Sequence, residues 1–120
     1  MTVKLPQVYS DCYQLTLELY RRTKSFPKQF RPTLARRIEE ASLELTSATR
    51  KLLLAKQQEH SSKKHHLTIA NDSIDDLKFL TQLSCDLELF SAGSFGHISE
   101  QITGIGAQVG ALRRFYKVGE

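Results

Sequence analysis

The chain has 120 residues, of which 40% are hydrophobic and 25% charged. These proportions are typical of a single globular domain and exclude a disordered or membrane-embedded chain. No apolar run approaches the roughly 20 residues that a membrane-spanning helix needs, and no secretory leader is evident, so we expect a cytoplasmic protein without a membrane partner. Cys12 and Cys85 lack CxxC spacing and are expected to be reduced thiols.

The hydrophobic pattern predicts four helices and no strand. Their predicted ranges are 6–24, 32–58, 70–90 and 95–117. The first helix is expected to stop before Pro27, because the residue that precedes a proline avoids the helical region. Its apolar positions are Tyr9, Cys12, Tyr13, Leu17 and Tyr20. In the second helix, apolar residues recur at alternating steps of four and three, as on a heptad seam. They are Leu34, Ile38, Ala41, Leu45, Ala48, Leu52 and Ala55.

The third helix is expected to begin between His66 and Ser73, with Ser73 and Asp76 spaced as a capping box. Residues 57–71 would then form a polar loop or frayed helix ends. Its predicted inner face is Ile74, Leu77, Leu80, Leu83, Leu87 and Phe90. The fourth helix follows a predicted Ser94 cap. Its apolar stripe is Phe95, Ile98, Ile102, Ile105, Val109, Leu112 and Tyr116.

The connections after the first and third helices are short, which makes consecutive helices antiparallel. The predicted fold is therefore all-α, a single-domain up-down-up-down four-helix bundle spanning residues 1–120. In this arrangement the first corner and the end of the third helix meet at one pole. The 57–71 segment and the end of the fourth helix meet at the other.

Positive charge is concentrated in one segment of a chain whose formal net charge is +4. Between positions 21 and 37 there is no carboxylate, and the basic residues are Arg21, Arg22, Lys24, Lys28, Arg31, Arg36 and Arg37. Basic side chains at the end of the first helix complement its dipole, but Arg36 and Arg37 fall in a predicted first turn, where the dipole favours acids. A second group, at the opposite pole, is Arg113, Arg114 and Lys117 together with Lys63 and Lys64. We predict that these basic poles bind the phosphates of RNA or DNA.

Aromatic residues lie near both basic groups. Tyr20, Phe26, Phe30 and Phe115 could stack on bases, although Phe26 and Phe30 are equally suited to plug the end of the bundle. Leu43, Leu53 and Leu54 fall outside the heptad seam, and Gly106 and Gly110 are spaced to leave a smooth groove on the fourth helix. These five positions predict a homo-oligomer interface. Tight packing within one bundle is the alternative for the glycines.

The four histidines, His60, His65, His66 and His97, raise the question of a metal site. Lysines flank the pair at 65 and 66, and no HxxxH or ExxH pair is present, so we expect solvated loop residues rather than ligands. No glycine-rich phosphate loop or Ser-His-Asp arrangement is evident. We therefore expect no metal, no cofactor and no catalytic residue.

Three stretches of the sequence carry a family resemblance. They are FPKQFRPTLARRIEEASLEL at 26–45, LKFLTQLSCDLELFS at 77–91 and ITGIGAQVGAL at 102–112. In order and spacing they resemble the accessory variability determinant (Avd) family of diversity-generating retroelements. The resemblance implies a four-helix bundle that assembles as a ring-like pentamer. It also implies a non-catalytic partner of the retroelement reverse transcriptase and its RNA during mutagenic copying. Lys28, Arg31 and Arg37 match the basic motif of the family, and the resemblance implies a binding role for them.

Other interpretations remain open. A related four-helix-bundle family, encoded in intervening sequences of large-subunit ribosomal RNA genes, shares the Phe-Pro corner. A purely structural oligomer would instead use the arginines for intersubunit salt bridges to Glu39, Glu40 and Glu44. A metalloenzyme that uses the histidines would require ligand spacing that the sequence does not offer.

Overall fold

The computed structural model describes residues 5–56 and 59–119. Its four α-helices are α1 (Leu5–Thr23), α2 (Arg36–Leu54), α3 (His60–Asp86) and α4 (Ala92–Phe115). A short 3-10 helix, Lys28–Phe30, and a π-helical turn, Arg31–Ala35, lead into α2. The described part of the chain contains no strand, and the predicted all-α class is confirmed.

The helices pack as a bundle in which α2 contacts α1 and α3, while α4 contacts α3 and α1. The molecule measures 46 × 26 × 24 Å, as expected for helices about 30–40 Å long that lie side by side at about 8–10 Å. Between residues 5 and 119, leaving aside 57–58, no helix is both long and apolar enough to cross a bilayer.

The apolar seams of α2 and α4 are confirmed as core. The buried seam residues are Leu34 in the π-helical turn and, on α2, Ile38, Ala41, Leu45, Ala48 and Leu52. On α4 they are Ile98, Ile102, Ile105, Val109 and Leu112. Complete burial of one aliphatic side chain of this size contributes about 1.5–3 kcal/mol, so these two stripes supply much of the driving force for folding. The ends of both seams, Ala55, Phe95 and Tyr116, are only partly buried.

The apolar face of α1 differs from the predicted one. Its buried residues are Val8, Cys12, Leu15, Leu19 and Thr23, whereas Tyr13 and Tyr20 are exposed. The buried residues and the tyrosines both repeat at helical spacing. The aliphatic side chains are the ones buried, because they have no polar atom that needs contact with water. The tyrosines can cover the edge of the core and keep their hydroxyl groups in water.

The predicted start of α3 is wrong, and its predicted inner face is confirmed only in part, since Ile74, Leu77, Leu80 and Phe90 are buried. The helix begins at His60 and includes residues 60–71, for which a polar loop and frayed helix ends are the two predictions, so Ser73 lies buried within it and caps nothing. Leu83 and Leu87 are exposed, while Thr81 and Ser84 are buried. The hydroxyl of Thr81 donates to the carbonyl of Leu77 (2.7 Å), and that of Ser84 donates to Leu80 (2.8 Å). Because their own helix satisfies these hydroxyls, both residues can serve as small core side chains.

The remaining helix ends shift by a few residues. Ser91, not Ser94, caps α4, since its hydroxyl oxygen accepts a hydrogen bond from the Ser94 backbone N–H at 3.1 Å. The helix therefore begins three residues before the predicted position. The α-helical part of α2 ends at Leu54, short of the predicted end at 58, and residues 57 and 58 lie outside the described residues.

Paired contacts fix how neighbouring helices are aligned. Between α1 and α2, the Thr16 and Thr46 hydroxyl oxygens are 2.7 Å apart, and Thr23 donates to Glu39 at 2.6 Å. These pairs run in opposite directions along the two helices. Polar contacts inside an otherwise apolar interface specify register, because a shifted alignment would leave the buried groups unsatisfied.

The two cysteines differ in their surroundings, which yields a testable prediction. Cys12 is fully buried and Cys85 is half-buried. Burial raises the pKa of the Cys12 thiol to about 12, a hydrogen bond with Thr49 lowers it to a smaller extent, and the Asp11 carboxylate adds to the increase. Because the thiolate is the reactive species, we expect Ellman's reagent at pH 8 to modify one thiol per folded chain, Cys85, and to reach Cys12 only in denaturant. Equal rates for both thiols in the folded protein would contradict the burial of Cys12.

Candidate nucleic-acid interface

The corner between α1 and α2 is held in place by an aromatic anchor. Phe26 is only 1% exposed, and its ring meets the edge of Phe90 at a centroid distance of 5.4 Å. The backbone N–H of Phe26 donates to the carbonyl of Thr23 at 3.0 Å, which closes the turn after α1. The corner is thereby fixed against the connection between α3 and α4, as predicted for this pole.

The chain re-enters helical conformation through two unusual turns. The 3-10 helix starts directly after Pro27, and Pro32, which has no backbone N–H, occupies the first turn of the π-helix. The Arg31 Nε donates to the carbonyl of Phe26 at 3.1 Å. Short π-helical segments are frequent at functional sites. Here the segment orients Arg31 relative to the anchored Phe26.

These turns change which basic residues lie at the N-terminus of the helical segment. Helical backbone runs from Lys28 through the π-helix into α2, so Arg36 and Arg37 do not lie in a first turn, and that prediction is wrong. The helix dipole acts mainly within the first turn. The basic residues at this N-terminal end are instead Lys28 and Arg31, which are placed where the dipole favours an anion.

All seven basic side chains of the corner are exposed, and together we call them the basic corner: Arg21, Arg22, Lys24, Lys28, Arg31, Arg36 and Arg37. Two of them form ion pairs, Arg22 with Glu18 at 2.7 Å and Arg36 with Glu40 at 2.8 Å. Within the described residues the other five have no carboxylate within 4.0 Å. Glu18 is half-buried and Glu40 exposed. Surface pairs of this i,i+4 kind contribute only about 0.3–0.5 kcal/mol, so a phosphate could readily replace Glu40 at Arg36.

A cleft of about 260 Å³ extends the basic corner toward α4. Arg21, Arg22 and Ser25 line one side, while Ser91 and Ser94 at the start of α4 line the other. The N-terminus of a helix carries a partial positive charge. The cleft therefore adds electrostatic potential of the same sign to that of the arginines.

The opposite pole is less basic than the sequence predicts. Arg114 and Lys117 are exposed and Arg113 is half-buried, but Lys63 is buried, with its Nζ 3.3 Å from the Tyr116 hydroxyl and 5.2 Å from the ring centroid. Lys63 therefore stabilises the end of α4 rather than facing a ligand. Lys64 is half-buried on α3. We call the three residues at the end of the chain, Arg113, Arg114 and Lys117, the C-terminal basic group.

The histidines near this pole lie on α3 and not in a loop, which corrects that part of the prediction. His60 and His65 are exposed, as predicted. His66 is half-buried, and burial, with smaller effects from His65 and Lys51, lowers its pKa. The edge of His60 packs on Tyr116. His97 is exposed on α4. In the described ranges no three His, Cys, Asp or Glu side chains come together as a possible metal site.

Aromatic side chains divide into two groups. Phe26 and Phe30 pack in or against the core and plug the end of the bundle. Tyr20, beside the basic corner, and Phe115, beside the C-terminal basic group, are exposed. Partial burial and the Glu39 carboxylate raise the pKa of Tyr20, so its phenol is neutral at physiological pH. Of the four rings that the sequence suggests for stacking on bases, these two are accessible.

The residues predicted at an oligomer interface lie in different surroundings. Leu43 and Leu54 are exposed on α2, and Leu53 is half-buried. A Cβ atom at Gly106 would lie 3.8 Å from the Ile74 side chain of the same chain, and one at Gly110 would lie 3.6 Å from Arg114. Gly106 thus faces α3 within the bundle, whereas Leu43 and Leu54 remain open to a partner.

One exposed apolar surface, around Phe79 on α3, is not predicted from the sequence. Phe79 on α3 is 63% exposed and lies one helical turn from the exposed Leu83, with aspartates on both sides. The signal was present in the sequence as an i,i+4 apolar pair among acids. It was missed because Leu83 and Leu87 were assigned to the core.

Comparison of the sequence with protein-family models and with curated proteins finds no match.

Proposed function

We propose that this protein is a non-catalytic accessory protein that binds RNA or complementary DNA through the basic corner. The observation that carries the proposal is the set of five exposed cations, Arg21, Lys24, Lys28, Arg31 and Arg37, with no carboxylate partner among the described residues. Clustered cations of this kind bind polyphosphates by releasing the counterions condensed on them. The exposed Tyr20 ring beside the corner supplies a stacking surface that does not depend on base sequence.

The resemblance to the Avd family supplies the proposed context. In that context the protein is cytoplasmic and partners the reverse transcriptase of a diversity-generating retroelement. It would hold the template RNA or the nascent strand while the polymerase performs the chemistry. The C-terminal basic group is proposed as a second contact with the same nucleic acid.

For the arrangement of the protein itself, we propose an up-down-up-down bundle that self-associates as a ring of five. The opposite direction of paired contacts supports the antiparallel arrangement, both between α1 and α2 and between α3 and α4, where Lys63 meets Tyr116 and Ile74 meets Gly106. The exposed Leu43 and Leu54 support self-association. A cyclic assembly would also multiply the number of basic corners presented to one strand.

The salt dependence of RNA binding tests this proposal. Five phosphate contacts to a single strand predict a log-log slope of about −3.5, so the affinity should fall roughly 100-fold between 50 and 200 mM salt. Fluorescence anisotropy of a labelled single-stranded RNA measures the dissociation constant at each salt concentration. No detectable binding at 50 mM, or an affinity that does not change with salt, would refute nucleic-acid binding by this corner.

The scaffold alternative receives less support from the contacts. It requires acceptors for the arginines on a neighbouring subunit, at Glu39, Glu40 and Glu44. Within its own chain, Glu39 already accepts the Thr23 hydroxyl, and Glu40 pairs with Arg36. Among these three acids only Glu44 has no partner in the described part of the chain.

A further inference from the structure

The outer face of α3 carries a surface that neither the core nor the nucleic-acid proposal uses. Its members are all exposed and follow one stripe of the helix: Asp72, Asp75, Asp76, Phe79, Leu83 and Asp86. We call them the acidic stripe. The core face of the same helix, which includes Ile74, Leu77 and Thr81, lies on the opposite side at 100° per residue. Among residues 5–56 and 59–119, no other helix therefore covers Phe79.

A shallow surface groove follows the acidic stripe. It has a volume of about 550 Å³ and is lined by Phe79 and Leu83, by Asp75 and Asp86, and at its edge by Lys78 and Gln82. A second cleft, of about 170 Å³, continues from it toward α4 over Phe95. An exposed phenylalanine and leucine one turn apart are suited to contact apolar side chains spaced by three or four residues, as on a partner helix.

The charge of the stripe defines the partner further. None of its four aspartates has a cationic side chain within 4.0 Å among the described residues, although the chain as a whole is positive. Lys78 at the edge of the groove offsets one of the four charges, and the remaining excess of carboxylates repels a nucleic acid and attracts Lys and Arg. The occupant is therefore a protein segment that is basic around its apolar anchors.

A second copy of this chain does not supply such a segment from its leucine-bearing face. Leu43 and Leu54 are eleven residues apart, about 16 Å along α2, whereas Phe79 and Leu83 are about 6 Å apart. Glu40 and Glu44 also flank Leu43, so they would face the aspartates. Neither the spacing nor the charge is complementary.

We infer that the acidic stripe docks an amphipathic, basic helix of a protein partner, with its apolar anchors over Phe79 and Leu83. This site is separate from the basic corner and has the opposite charge. Nucleic-acid binding and helix docking can therefore succeed or fail independently. Both could be occupied at once, which would let one molecule join a polyanion to a basic protein.

The probe for this site is a fluorescein-labelled, 14-residue helical peptide with Leu at positions 4, 7, 8 and 11 and Lys at most others. We expect the full-length protein to bind it with a dissociation constant in the micromolar range, and Phe79→Asp to weaken binding by at least about tenfold. The matched control is Phe115→Asp. This ring is 75% exposed and lies at the end of α4, away from the acidic stripe, so its replacement should leave peptide binding unchanged. A peptide with Ser in place of Leu should bind at least about tenfold more weakly.

Three results would overturn the inference. Equal peptide affinity for wild type and Phe79→Asp would show that the stripe is not the site, and equal affinity for the Leu and Ser peptides would show attraction by charge alone. A lower mass of Phe79→Asp in light scattering would identify a second copy of the chain as the occupant. The RNA affinity of Phe79→Asp, expected to stay within about twofold of wild type, reports on the basic corner separately.

Discussion

Replacing Phe26 with alanine is expected to lower the free energy of unfolding by about 3–5 kcal/mol. The ring is almost completely buried and packs edge-on against Phe90, so its removal loses apolar burial, leaves a cavity and breaks an aromatic pair. For a domain with a stability of about 5–15 kcal/mol this is a large fraction. Urea titration followed by circular dichroism measures it, and the melting temperature should fall by roughly 10–20 °C.

The same substitution should also weaken RNA binding in the population that remains folded. The carbonyl of Phe26 accepts a hydrogen bond from the Arg31 Nε, so a loosened anchor lets Arg31 and the π-helix lose their fixed position.

Phe26→Leu is the graded comparison and should retain more of the stability than alanine, because it fills part of the cavity. Phe115→Ala, at an exposed ring, should change stability by no more than about 0.5 kcal/mol. A loss below about 1 kcal/mol for Phe26→Ala would mean that this residue does not anchor the corner.

The parts of the fold that sequence reasoning predicts well are those in which hydrophobicity alone decides burial. On α2 and α4, apolar residues recur at alternating steps of three and four, and this pattern leaves one possible core face. On α1, tyrosines and leucines form two competing stripes, and hydrophobicity does not distinguish an aromatic ring that ends in a hydroxyl from a wholly apolar side chain. Choosing Leu15 and Leu19 requires knowledge of which face meets α2.

On α3 the difficulty has a different cause. Thr81 and Ser84 appear polar in the sequence but form hydrogen bonds to their own helix, so they can be buried at little cost. Leu83 appears to belong to the core but lies on the outer face. Hydrogen bonds to the backbone of the same helix decide whether a Thr or Ser can be buried. The pattern of polar and apolar residues does not show these bonds, so it does not identify which face of α3 is buried.

The composition of the basic corner is visible in the sequence, but its geometry is not. The absence of carboxylates between positions 21 and 37 indicates the cluster directly. The sequence does not show that a 3-10 and a π-helical turn place Lys28 and Arg31 at the helical N-terminus, or that Lys63 turns inward to Tyr116. Both outcomes depend on contacts between residues far apart in the chain.

Charge reversal at two positions of the basic corner, Arg31→Glu with Arg37→Glu, is expected to weaken RNA binding on the order of 100-fold at 100 mM salt. Two phosphate contacts are lost, so the log-log salt slope should become shallower by about 1.4, and two carboxylates now repel the strand. Folding should be preserved, because both side chains are exposed, the lost hydrogen bond from Arg31 to the Phe26 carbonyl is worth only about 0.5–1.5 kcal/mol, and an acid at position 31 is favoured by the helix dipole. Anisotropy titrations at several salt concentrations measure both quantities.

The matched control is Arg50→Glu with Lys78→Glu, two exposed residues outside the corner. Each double variant changes the formal net charge by −4, from +4 to 0, so a general charge effect would weaken binding equally in both. Light scattering on the same samples distinguishes the scaffold alternative. If Arg31 and Arg37 form intersubunit salt bridges, their reversal lowers the mass of the assembly. If they contact phosphates, the mass is unchanged while RNA binding falls, because the corner then acts on a ligand outside the protein.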